Sequence, residues 1–94
     1  MLPDLNEDAL DAAILKALYP EERKTEITLS TEIENSGGAI RVGFRCLKLG
    51  QRGVIYCAYV TRDAEHSYWK LTVRGRLALQ NFTDEGVATT GGTE

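Results

Sequence analysis

The sequence predicts an α+β domain of three helices, a β-hairpin and a short C-terminal helix. Three observations carry this. Apolar residues recur at helical spacing in two N-terminal stretches and again over residues 39–51. A run rich in β-branched and aromatic residues, 54–61, is followed by a polar turn and a second run, 68–72, which together read as an antiparallel hairpin. Asn35, Ser36, Gly37 and Gly38 form a strong breaker between the second and third helical stretches.

The first helix opens at Asn6, a capping residue followed by Glu7 and Asp8 near the positive end of the helix dipole. Leu10, Ile14 and Leu18, with Ala13 and Ala17, make its apolar stripe, and Pro20 stops it near Tyr19. Its polar side, Glu7, Asp8 and Asp11, is acidic and expected to be solvated and turned away from any nucleic acid. Residues 25–34 read as a shorter helix with Leu29 and Ile33 facing inward. Thr72 can cap a last helix carrying Leu77, Leu79 and Phe82. Residues 1–82 make one domain, and the Thr-, Gly- and acid-rich residues 83–94 are expected to be a disordered tail.

Residues 39–51 carry two competing patterns. Ile40, Val42, Phe44 and Cys46 alternate with Arg41, Gly43 and Arg45, as in a strand. Under a helical period, Arg41, Arg45, Lys48 and Arg52 fall within roughly 60° of one another. Val42, Cys46 and Leu49 then form a parallel apolar stripe. Both stripes persist through the whole segment only as a helix, so helix is favoured over strand, although Gly43 weakens it.

The formal net charge of −3 conceals a segregation. Residues 1–40 hold nine acids and three bases, residues 41–76 eight bases and two acids, and residues 77–94 three acids. A central segment of net +6 is an electrostatic footprint for a polyanion. The alternative is internal compensation, with the two halves pairing in the fold. Cys46 and Cys57 lie among apolar residues and are expected to be buried, reduced thiols. Two cysteines are too few for a disulfide scaffold, and no CxxC supports a redox pair. With an acidic N-terminus and no apolar run of about 20 residues, a cytoplasmic protein without membrane association is expected.

Several short motifs now permit a family comparison. Val42, Cys46 and Leu49, followed by Gly53, Val54 and Ile55, resemble the passage from recognition helix to wing strand in winged helix-turn-helix regulators. The stretch from Tyr68, Trp69, Lys70, Leu71 and Thr72 through Gly75, Arg76, Ala78 and Leu79 resembles the exit from the wing into the final helix. The resemblance covers roughly residues 7–80 and implies a β-hairpin wing and a transcriptional regulator that binds double-stranded DNA, with a homodimer possible.

An α-helix fits the major groove, so Arg41, Arg45, Lys48 and Arg52 are the candidate DNA-binding residues. Arg41 and Arg45, nearest the N-terminal end, are the expected base readers, and Lys48 and Arg52 the expected phosphate contacts. Arg62 in the hairpin turn and Lys70 on the return strand are further candidates. Phe44 has three readings: a core residue, a contact to thymine methyls, or the anchor of a protein partner. The tyrosines and Trp69 are expected to pack across strands rather than stack on bases. No Ser/His/acid set, phosphate loop or metal-spaced cluster appears, and His66 is the lone histidine, so no enzyme activity, cofactor, metal or small-molecule ligand is expected. The competing function is protein–protein contact without DNA binding, through the acidic first helix or the Phe44 and Leu47 face.

Overall fold

The computed structural model describes residues 3–60, 62 and 67–87, the last seven as backbone only. Among them the chain is α+β, with four helices and a three-stranded antiparallel sheet. In chain order these are α1 (Glu7–Leu18), β1 (Lys24–Thr25), α2 (Glu26–Glu32), α3 (Ala39–Gln51), β2 (Ile55–Val60), β3 (Ser67–Leu71) and α4 (Val73–Val87).

The Asn6 cap expected from the sequence is in place, and Thr25 supplies a second cap that was not foreseen. Asn6 Oδ1 accepts from the Ala9 amide at 2.8 Å and opens α1. Thr25 Oγ1 accepts from the Thr28 amide and opens α2, which ends at Glu32, two residues short of the expected boundary. Residues 39–51 are helical, not extended. The loop before α3 has positive φ at Asn35 (59°), Gly37 (87°) and Gly38 (106°), a path that two glycines and an asparagine accept without the steric cost other residues meet.

Leu10, Ile14 and Leu18 of α1 meet Leu29 of α2, Val42, Cys46 and Leu49 of α3, and Ile55, Trp69 and Leu71 of the sheet in one core. Burial of each large aliphatic contributes roughly 1.5–3 kcal/mol. Strand order is β1-β3-β2, with Lys24 opposite Trp69 and Ile55 opposite Leu71. Two-residue β1 was not foreseen, because so short a strand carries no periodicity.

The start of α4 is fastened at one corner. Thr72 Oγ1 donates to the Gly53 carbonyl at 2.7 Å and accepts from the Gly75 amide at 2.9 Å, while the Thr72 amide donates to the Val54 carbonyl. Helix α4 therefore crosses Val54 so closely that a Cβ on Gly75 would lie 1.9 Å from the Val54 carbonyl oxygen. Backbone of α4 continues to Val87, past the point where the tail was expected to begin, and residues 88–94 lie outside those described.

Candidate functional site

Helix α3 divides its side chains into three strips, and the division follows from its period of about 100° per residue. Val42, Cys46 and Leu49 are buried in the core. Ile40, Phe44 and Leu47 lie on the opposite, outward strip and are 85%, 63% and 56% exposed. The basic residues occupy the strip between, beside α1. Of the three readings of Phe44, this exposure removes the core one.

The basic strip is closed against α1 by an ion-pair network. Arg45 donates from Nε to Asp11 Oδ1 and from Nη2 to Asp11 Oδ2, both at 2.8 Å. Its Nη1 lies 3.5 Å from Glu7, and Arg52 Nη1 lies 3.6 Å from Asp11. The hydrogen bond to Asp11 outweighs the opposing desolvation and holds the Arg45 guanidinium above its ordinary range. Two parallel hydrogen bonds between planar groups fix geometry as well as charge. Asp11 is thus a correction: it is buried and paired, not solvated on an acidic face turned away. A signal was present in the sequence. On a helical wheel Asp11 and Glu7 fall within about 60° of Ile14 and Leu18, that is, on the apolar stripe itself.

The remaining predicted site residues are placed as follows. Arg41 donates from Nη1 to the Ser36 carbonyl at 3.1 Å and lies along Gly37. Lys48 is exposed and has no ion pair among the described residues, and the Arg52 side chain is 63% exposed despite its approach to Asp11. Arg62 is exposed, and its neighbours 61 and 63–66, His66 included, lie outside the described residues. Lys70 alternates with core-facing Trp69 and Leu71, so it stands on the face of the sheet turned away from the core. Arg41, Lys48 and Arg52 are therefore gathered along one flank of α3, Arg45 is drawn inward, and Lys70 belongs to another surface.

On the other flank of the outward strip is a feature the sequence reading missed. A cleft of about 270 Å³ between α3 and β3 is lined by Ile40, Phe44, Leu47, Trp69 and Glu26. Trp69 is buried and donates its indole N–H to Glu26 Oε1 at 2.5 Å, which holds the carboxylate at the cleft floor. Gly43 opens the cleft: a Cβ there would already touch Glu26 Cγ at 3.5 Å. Elsewhere, Tyr59 and Tyr68 pack across strands at 5.9 Å, with Arg23 over Tyr68 at 5.5 Å.

Cys57 is a second correction. Cys46 is buried, and burial pushes its thiol up to about 12, but Cys57 is exposed. The core face of β2 ends at Ile55, and a register shift between Cys57 and Tyr59 breaks the alternation beyond it. Among the described residues no three His, Cys, Asp or Glu side chains are grouped as metal ligands, and no helix is long and apolar enough to cross a membrane. Comparison with protein-family models, curated proteins and solved structures gives no match.

Proposed function

We propose that this chain is a winged-helix module that binds a protein partner through the outward face of α3 and performs no enzymatic chemistry. The frame of the reading is the element order: three helices, the third feeding a hairpin whose return strand pairs with a short strand before α2. One observation carries the choice of partner. The centre line of α3 is Ile40, Phe44 and Leu47, exposed and apolar beside a cleft, while the best-placed arginine is bound to Asp11. A helix that reads a major groove needs donors and acceptors aimed at base edges and phosphates. Three large apolar side chains there would dehydrate the groove's polar edges and satisfy few of them. Against an apolar protein surface the same side chains supply the buried centre that interfaces are built around. A cytoplasmic setting belongs to this reading, since an exposed free thiol such as Cys57 stays reduced there.

A second reading, a DNA-binding transcriptional regulator, is favoured by the exposed Lys48 and Arg52 on one flank of α3. The two readings part cleanly. Fluorescence anisotropy with random duplex DNA near 50 mM salt is expected to give no binding, since Arg45 is held by Asp11 and an apolar strip takes the centre of α3. A photo-crosslinking residue at position 47 is expected to yield protein adducts. Duplex binding that weakens steeply with salt and is lost in Lys48→Ala would reject the protein-binding reading.

A further inference from the structure

We infer that the partner seated on the α3 face is a second copy of this chain, the two α3 helices running nearly parallel about a two-fold axis along their length. The inference rests on the protein-binding reading above and names its occupant.

The argument is charge complementarity. Across the apolar strip the two flanks differ in sign. Glu26 stands beside Gly43 on one flank, and Lys48 stands on the other, five residues and so about 140° further round the helix. An isologous interface sets each surface against itself. If the two-fold axis runs across α3, Glu26 faces Glu26 and Lys48 faces Lys48. If it runs along α3, left and right flanks exchange, and the flank carrying Glu26 in each copy faces the flank carrying Lys48 in the other, the two side chains about 7–8 Å apart along the axis and within reach of the long lysine. Phe44, between the flanks, then meets its counterpart near the axis. One geometry buries the apolar strip and joins opposite charges twice; the other opposes like charges twice.

Size sets the strength. Helix α3 has 13 residues and is about 20 Å long. A strip one helix wide falls short of the roughly 800 Å² per partner of a standard interface. The dimer therefore belongs to the weak, transient class.

Sedimentation equilibrium of the full chain from about 5 to 500 μM is the experiment, with circular dichroism checking each variant's fold. The wild-type chain is expected to pass from monomer to dimer across this range, and Phe44→Asp, at an exposed position, to stay monomeric and folded. The charge test uses Glu26→Gln, which keeps an acceptor for the Trp69 indole. In the wild-type chain it should loosen the dimer, by roughly fivefold for two symmetry-related pairs. In a Lys48→Glu chain it should tighten the dimer, because it removes a repulsion. A monomer throughout, a dimer indifferent to Phe44→Asp, or the same sign for Glu26→Gln in both backgrounds overturns the inference. A monomer that also fails to bind duplex DNA rejects the second copy alone; DNA binding through Lys48 rejects the reading beneath it.

Discussion

Arg45 and Asp11, 34 residues apart, meet through two parallel hydrogen bonds of 2.8 Å. The contact ties α3 to α1 on the flank between the buried stripe of Val42, Cys46 and Leu49 and the outward strip. Removing one partner strands the other in a mostly buried place, so Asp11→Ala should destabilise the fold. In a double-mutant cycle with Arg45→Ala, urea unfolding should give a coupling about threefold or more that of the Lys24–Glu32 pair, whose glutamate side chain is 45% exposed. Equal couplings would mean that Asp11 and Arg45 are an ordinary surface pair.

Two glycine substitutions should act in opposite directions. Gly75→Ala drives a methyl into the Val54 carbonyl, which is backbone and cannot swing aside, so α4 must lift from its corner. A loss of about 1–3 kcal/mol in urea unfolding is expected. Gly43 is within α3, and its added methyl meets only Glu26 Cγ at ordinary contact distance. Gly43→Ala should stabilise by up to about 1 kcal/mol through helix propensity.

The two thiols should separate on labelling of the native protein, Cys57 rapidly and Cys46 only on unfolding. Cys46 also sets a pH dependence. Its folded pKa, pushed up to about 12, stands above its ordinary value of 9.0, so the unfolded chain gives up this proton first. The contribution is whole below about pH 9 and is lost as pH rises from there towards 12, by at most about 1.4 kcal/mol per pH unit. Cys46→Ala should flatten the fall of stability with pH in that window relative to the wild-type chain.

The third helix marks how far the sequence could be read. Its strand-like alternation and its helical stripes coexist in the same letters, and the helical period prevails because Val42, Cys46 and Leu49 all reach the core. The phase of Arg41, Arg45, Lys48 and Arg52 on their own helix was legible. What those residues would face was not, since that depends on α1 lying alongside; the internal compensation weighed against a polyanion site is what Arg45 and Arg52 make with Asp11 and Glu7. Glu26 was illegible for the same reason. Its role comes from Trp69, 43 residues away, and from β1, which only pairing with β3 creates. Cys57 was misjudged because apolar neighbours imply burial only where a strand still lies over the core.

Because Ile40, Phe44 and Leu47 hold nothing in the fold together, their replacement costs the domain little, within about 0.5 kcal/mol for most exposed positions. The residues that keep α3 in place are all on its other sides. If the outward strip binds a partner as proposed, mutation can rewrite what it recognises without disturbing the scaffold. On that reading, binding preference is free to drift between lineages while the architecture beneath it stays still.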